Sequence, residues 1–235
     1  MKKPTILSAI LFLTSWTSLS MGAVQVINVD FNGKRPGDAE DGGTYAGVSA
    51  AGSGTVFNGV TADSTGGDDN LNIAASGLLD ESGIITLVGF TFSTVGGDHE
   101  TSQSFSPAAL YDDYIFNNSA GNSMPGGSPF TINGLGSVAA ADLYFYLSVF
   151  NAGTIALADF AGNGDAGTYN GLGATAFLNV PVNGGSISGI FGSNGATSVL
   201  GGFSVVTVPE PALAGLLGMA TIPLMLRRRR GRKAV

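Results

Sequence analysis

The strongest constraint on the fold of this chain is an alternation of apolar and polar residues with a period of two. In the segment INVDFN, residues 27–32, every odd-numbered residue is apolar and every even-numbered residue is polar. In ADLYFYLSVFN, residues 141–151, one face carries Leu, Phe, Leu and Val, and the tyrosines take the other face. Because successive side chains of a strand point to opposite faces, both segments predict β-strands with two distinct faces.

Five further runs are short, rich in β-branched or aromatic residues, and bounded by turn-forming residues: 83–93, 154–160, 174–180, 186–191 and 199–208. No segment between them sustains a 3.6-residue apolar stripe over ten residues. Only "SPAALYDDYIF" predicts a short helical turn, with Ser106 as its cap and Pro107 at the first helical position. About ten strands without intervening helices predict an all-β fold, a single antiparallel β-sandwich or jelly roll.

The charges are distributed unevenly along the chain. Residues 24–208 contain 16 acidic and two basic residues, a net charge of −14, whereas the whole chain has a net charge of −7. The remaining basic residues lie at the two ends. We expect residues 24–208 to form one acidic domain, since no repeat or long linker divides them. Such a domain repels nucleic acid, whose binding requires clustered Lys and Arg.

The residues that carry catalytic chemistry are scarce. The chain has no cysteine and one histidine, His99, which argues against thiolate sites and the common zinc sites. His99 lies between two acidic residues, and we interpret it as a surface-loop residue. No nucleophile elbow or phosphate-binding glycine motif is present. A carboxylate pair suited to glycoside hydrolysis stays open, but the sequence singles out no pair. We predict that the protein is not an enzyme.

Several acidic loops are rich in glycine and asparagine, which suits the oxygen ligands of calcium. In "DFAGNGDAG" the candidate ligands are Asp159, Asn163 and Asp165. The spacing does not match an EF-hand loop. The alternative is ordinary turn chemistry, in which Asp and Asn stabilise Gly-rich turns without a metal.

The first 23 residues have the order of a secretory signal peptide. Lys2 and Lys3 precede an apolar stretch at residues 5–16, and small residues follow it. The small residues allow cleavage after Ser20, after Gly22 or after Ala23. The alternative is a buried first helix.

A second signal-like pattern occupies residues 209–235. Pro209, Glu210 and Pro211 precede an apolar run at residues 212–226, which ends in four consecutive arginines, Arg227, Arg228, Arg229 and Arg230. As a helix this run spans roughly 22 Å, less than the ~30 Å hydrocarbon core, so it predicts a short transmembrane helix. Positive residues stay cytoplasmic, which places the domain outside. Pro223 weakens the run as a permanent anchor.

This pattern closely resembles a PEP-CTERM sorting signal: a Pro-Glu-Pro triplet, an apolar helix and an arginine cluster in that order. The resemblance implies processing by exosortase, a membrane protease of Gram-negative-type bacteria that make exopolysaccharide. It implies transient inner-membrane anchoring, followed by sorting to the cell surface or the extracellular matrix. The triplet would be recognised as substrate, not as a catalytic group. The alternative is a plain single-span tail anchor.

The domain resembles exported β-sandwich modules of the carbohydrate-binding or lectin kind in three short segments, LYDDYIF, FTINGL and DLYFY. Such modules stack sugars on aromatic rings, most often Trp, but the only Trp here is Trp16 in the signal peptide. Six tyrosines are the possible substitutes: Tyr45, Tyr111, Tyr114, Tyr144, Tyr146 and Tyr169. The alternative is that most of them pack against the sheet.

Two functions follow from these observations. The first is a structural or adhesive component of the cell surface or exopolysaccharide matrix, favoured by the acidity, the abundance of glycine and the lack of a catalytic constellation. The alternative is a carbohydrate-binding module that acts on extracellular polysaccharide. Neither function requires a cofactor other than the candidate calcium.

Overall fold

The computed structural model describes residues 24–34, 43–52, 54–63, 71–100, 108–111, 113–117, 127–147, 155–192 and 198–208. The predicted signal peptide, residues 1–23, and the predicted sorting tail, residues 209–235, lie outside the described residues. Residues Val24–Val208 form one compact unit.

The described residues form thirteen strands and one short helix. The elements in chain order are β1 Val26–Lys34, β2 Asn58–Asp63, β3 Leu71–Ala75, β4 Gly89–Val95, β5 Gly97–Glu100, α1 Ala108–Tyr111, β6 Asp113–Asn117, β7 Ser128–Asn133, β8 Ala140–Leu147, β9 Ile155–Leu157, β10 Asp165–Tyr169, β11 Leu172–Pro181, β12 Ile187–Phe191 and β13 Ser198–Val208. The short helix α1 confirms the helical turn predicted there. His99 lies in β5, so its assignment to a loop was wrong.

The strands form two sheets, which confirms the all-β prediction. One sheet has eight strands, in the order β10-β11-β8-β13-β1-β2, with β6 pairing with β13 and with β5. The other has five strands, in the order β3-β4-β7-β12-β9. Among the described residues, no helix has the length and apolar character needed to cross a bilayer.

A phenylalanine-rich core joins the inner faces of the two sheets. Phe31 of β1 meets Phe90 and Phe92 of the five-stranded sheet edge-on, at ring-centroid distances of 5.7 and 5.6 Å. Phe203 of β13 lies 5.2 Å from Phe90, also edge-on. These side chains are the inward-facing members of the period-two pattern. The alternation therefore identified the core face of β1 correctly.

One strand pair departs from the antiparallel prediction. β1 and β2 run parallel, from Val29 opposite Asn58 to Lys34 opposite Asp63. Two parallel neighbours need a long crossover, and the chain between Lys34 and Asn58 is long enough to provide one. The described parts of this crossover, residues 43–52 and 54–57, contact the outer face of the eight-stranded sheet, where Ala50 donates a backbone hydrogen bond to Tyr146 of β8.

The run at residues 83–93, predicted as a continuous strand, is a strand only from Gly89 onward. Before it, the chain folds back on itself through an isolated bridge between Leu79 and Ile85. Thr86 closes this turn, since both its backbone N–H and its hydroxyl donate to the Leu78 carbonyl, at 2.9 and 2.8 Å. Local hydrogen bonding by Thr86 thus competes with the strand that the alternation favours.

Strand β13 changes partners at two glycines. It pairs with β1 from Gly202 to Val206 and with β6 from Ser198 to Leu200. A Cβ on Gly202 would collide with the Val29 carbonyl oxygen, and one on Gly201 would collide with the Leu110 carbonyl oxygen. The lack of side chains at these two glycines therefore allows β1 and α1 to approach the backbone of β13 closely.

Candidate functional site

A second cluster of apolar and aromatic side chains covers the outer face of the eight-stranded sheet. We call it the outer-face cluster. Its buried members are Ala50, Phe57, Leu110, Tyr111, Tyr146, Leu172 and Ala174, and the half-buried Tyr45, Tyr144 and Tyr169 pack against them. On β8, Tyr144 and Tyr146 face this cluster, whereas Leu143 and Phe145 face the phenylalanine core.

A chain of buried hydrogen bonds runs beneath the cluster. The Ala50 N–H donates to the Tyr146 hydroxyl at 3.0 Å, and that hydroxyl lies 2.6 Å from the Ser204 hydroxyl. The Ser204 hydroxyl in turn lies 2.7 Å from the side-chain Oδ1 of Asn28, which only accepts. Ser204 therefore donates to Asn28, and Tyr146 donates to Ser204. The Asn28 side-chain amide completes the chain by donating to the Val56 carbonyl at 3.0 Å.

This network holds the crossover against the eight-stranded sheet. It joins β1, β8 and β13 to the crossover through groups that are almost fully buried. Burial raises the pKa of Tyr146 to about 12, although its hydrogen bonds with Ser204 and Ala50 oppose the rise. Burial also raises the pKa of Tyr111, whose hydroxyl donates to the Gly173 carbonyl at 2.7 Å. Both phenols stay neutral at physiological pH and act as hydrogen-bonding groups.

Asp30 is a fully buried carboxyl beside this network. Its Oδ2 accepts the Tyr45 N–H at 2.7 Å, while within the described residues no hydrogen bond reaches its Oδ1. Burial raises the pKa of Asp30 to about 7, the Tyr45 N–H lowers it, and the negative charge of Asp113 raises it further. Asp113, the first residue of β6, is also buried. The Asp30 carboxyl is thus about half protonated near neutral pH.

Three tyrosine rings form the accessible part of the cluster. Tyr144 and Tyr169 meet edge-on at 5.3 Å, and Tyr45 meets Phe57 edge-on at 4.9 Å. The Tyr169 hydroxyl donates to the Asp165 carbonyl at 3.0 Å. Half-exposed rings offer faces for stacking of apolar sugar surfaces. Tyr111 and Tyr146 are buried, in agreement with the alternative that tyrosines pack against the sheet.

The predicted calcium ligands lie on the turn after β9 and at the start of β10. Asp159, Asn163 and Asp165 are all exposed. The Asn183 side-chain amide donates to Asp159 Oδ2 at 2.8 Å, and Tyr169 donates to Asp165. In the part of the chain that the structure describes, no three His, Cys, Asp or Glu side chains are grouped so that they could hold a metal ion. The calcium site at these three residues stays a prediction.

The remaining predicted site residues are not described. Pro209, Glu210 and Pro211 lie outside the described residues, as do Arg227–Arg230. The buried network at Asn28 and Asp30 was missed, because polar residues on alternate strand positions predict a solvent-facing surface. The sequence offers only an indirect signal, which is that Tyr146 of β8 and Ser204 of β13 each place a hydroxyl among apolar strand residues.

Comparison of the chain with protein-family models, with curated proteins and with solved structures found no match.

Proposed function

We propose that this protein is exported, held transiently at the inner membrane by residues 212–226, processed by an exosortase at Pro209–Glu210–Pro211, and sorted to the cell surface or the exopolysaccharide matrix. There the acidic domain has a structural or adhesive role. One observation carries the proposal. The triplet, the apolar run and the arginines directly follow Val208, the last residue of β13.

The positions of the two ends of the domain, near residues 25 and 207, support this proposal. β1 and β13 are antiparallel neighbours, and Thr207 donates its N–H to the Gln25 carbonyl at 2.9 Å. Gln25 returns a hydrogen bond from its own N–H to the Thr207 hydroxyl at 2.9 Å. Cleavage before Val24 and after Val208 leaves these bonds intact. Both proposed cuts thus release a closed unit without opening a strand pair.

In this proposal the domain is a jelly-roll-like sandwich, and residues 212–226 form a short transmembrane helix. The helix covers less than the full hydrocarbon core, so arginine side chains that reach the headgroups complete the span. The two prolines hold the triplet extended, which suits a protease cleft. The net charge of −14 keeps the released domain hydrated and soluble in a polysaccharide matrix.

Two sets of substitutions test the tail in a host that contains an exosortase. Glu210→Ala leaves the apolar run and the arginines unchanged, so the precursor should accumulate uncleaved in the membrane fraction. Replacing Arg227–Arg230 with Gln removes the stop-transfer charge, so the precursor should slip through the bilayer and be recovered uncleaved in the soluble fraction. Asp159→Ala is the matched control for loss of one exposed acid. Wild-type processing of both tail variants would refute the proposal.

The second candidate function is carbohydrate binding by the half-exposed tyrosines of the outer-face cluster. The observation that favours it is the adjacent pair Tyr144 and Tyr169, whose rings lie beside each other and are partly accessible. Pull-down of the purified protein with host exopolysaccharide tests it, with Tyr169→Ala as the variant. Ile190→Ala, on the five-stranded sheet, is the control. Saturable binding that Tyr169→Ala weakens and Ile190→Ala does not would favour this function over a purely structural one.

A further inference from the structure

The most exposed large apolar side chains in the described residues lie on the turn between β3 and β4. Ile84, Ile85 and Leu87 are 63%, 74% and 86% exposed, and we call these three residues the apolar arm. Isolated exposed apolar residues are common, but three within four positions form a patch. A patch of this kind on a soluble domain indicates a contact surface.

The apolar arm is held in place by the turn that precedes it. The Asp80 carboxylate accepts hydrogen bonds from the N–H groups of Ser82 and Ile84, at 2.9 and 3.0 Å. The Gly83 N–H donates to the Asp80 carbonyl at 2.8 Å. At the last residue of the arm, the Leu87 carbonyl lies against Gly134, where a Cβ would not fit. The arm therefore presents its side chains from an ordered backbone.

The arm lies at the end of the domain where the chain leaves the sheet. Glu81 donates its N–H to the Val26 carbonyl at 2.9 Å, and Asp80 forms a bridge with Ile27. Val26 is opposite Val206 in the ladder between β1 and β13. The arm, the start of β1 and the end of β13 thus share one end of the domain.

The sequence after Val208 bears on which surface lies near the apolar arm. The apolar run starts at Ala212, so three residues, 209–211, separate it from Val208 at the end of β13. The four residue-to-residue steps from Val208 to Ala212 span at most about 14 Å. While residues 212–226 hold the protein in the bilayer, Val208 cannot lie farther than this from the start of the apolar run.

We infer that the apolar arm inserts Ile84, Ile85 and Leu87 into the outer headgroup boundary of the inner membrane while the precursor is anchored. This inference rests on the proposed function, because it requires residues 212–226 to be the anchor. The acidic neighbours Asp80 and Glu81 favour zwitterionic over anionic lipid. Three side chains give weak, reversible binding, so the arm orients the anchored precursor and lets the cleaved domain leave.

A second copy of the chain is the main competing occupant. Stable protein interfaces bury about 800 Å² per partner, which is more than three side chains supply. The short connection between Val208 and Ala212 also brings the domain close to a lipid surface, whereas it does not bring it close to a second domain. The bilayer is therefore the occupant that the observations favour.

The absence of cysteine allows a single-site probe. The full chain carrying Leu87→Cys is labelled with an environment-sensitive fluorophore and reconstituted in phosphatidylcholine and phosphatidylethanolamine vesicles, with or without brominated acyl chains. We expect a blue shift of the emission and its partial quenching in brominated vesicles, since the bound side chain lies at the headgroup and acyl-chain boundary. Ile190→Cys is the control, since Ile190 pairs with Pro129 at the start of β7, whereas the arm meets Gly134 beyond its end. The control should show neither change.

Flotation of the vesicles distinguishes a failure of the apolar-arm inference from a failure of the proposed membrane anchor, residues 212–226. A chain that floats while Leu87→Cys stays unquenched overturns the apolar-arm inference and leaves the anchor standing. A chain that does not float overturns both. A blue shift without bromine quenching indicates burial against protein, which also overturns the inference and favours a second copy. A quenched arm in a precursor that exosortase does not cleave supports the inference and contradicts the proposed processing.

Discussion

The two faces of the eight-stranded sheet are both covered, but by different chemistry. The inner face packs Phe31, Phe145 and Phe203 against phenylalanines of the second sheet. The outer face packs Tyr146 and Asn28 beneath the crossover and depends on individual hydrogen bonds. Apolar packing tolerates small shifts, whereas a buried polar group left without its partner costs its full desolvation. The inner face therefore sets the fold, and the outer face fixes where the crossover lies.

The largest effect is expected from the inner face. Phe203→Ala removes a ring that contacts Phe31, Phe90 and Phe145. The lost burial and the resulting cavity should lower the free energy of unfolding by about 3–5 kcal/mol. Urea denaturation of the purified protein measures it, with the half-buried Phe160→Ala as the control. A loss below about 1 kcal/mol would mean that the two inner faces do not share a packed core.

The next effect concerns Asp30 and pH. Its pKa is about 7 in the folded protein and 3.8 for an unperturbed aspartate, so the folded state binds this proton more tightly. Stability from this group is therefore fully present below pH 3.8 and is lost as the pH rises through about 7. The difference between these two pKa values corresponds to a change in the free energy of unfolding of at most about 4 kcal/mol. Asp30→Asn should thus stabilise the protein at pH 8 and change it little at pH 4.

Thermal melts of wild type and Asp30→Asn between pH 4 and pH 8 test this prediction. Asp159→Asn, at an exposed position, is the matched control for replacing one carboxyl with an amide. If Asp30→Asn is destabilising at pH 8, the carboxylate is stabilised in its charged form, and the account of its burial is wrong.

A smaller effect is expected in the hydrogen-bond chain. Tyr146→Phe keeps the ring but removes the acceptor for the Ala50 N–H and the donor to Ser204. It should lower the free energy of unfolding by about 1–3 kcal/mol. Tyr144→Phe, on the same strand face with a half-exposed ring, should change it by less than about 0.5 kcal/mol. Equal effects in the two variants would show that the outer face gains nothing from its buried hydroxyl.

The inner face could be predicted from the sequence because its information is local. The alternation in residues 27–32 identified Ile27, Val29 and Phe31 as core residues, and all three are buried. The turn-forming residues between the runs likewise indicated strands without helices. The partner of each strand was beyond reach, because pairing depends on distant segments.

The outer face could not be predicted, because its contacts also depend on distant segments. Asn28 and Asp30 look solvent-facing in the pattern, and only the crossover that covers them, described at residues 43–52 and 54–57, shows that they are buried. The parallel pairing of β1 and β2 follows from that crossover too. The network of Tyr146, Ser204 and Asn28 joins residues up to 176 positions apart, so no local pattern contains it.

The measurement that tests the account most directly is the intact mass of the protein at the surface of a host that contains an exosortase. The account predicts one species that begins between Met21 and Val24 and ends in the Pro209–Glu210–Pro211 region. A surface species whose mass still includes Arg227–Arg230 would contradict it, because the tail would then be a permanent part of the protein and not a sorting signal.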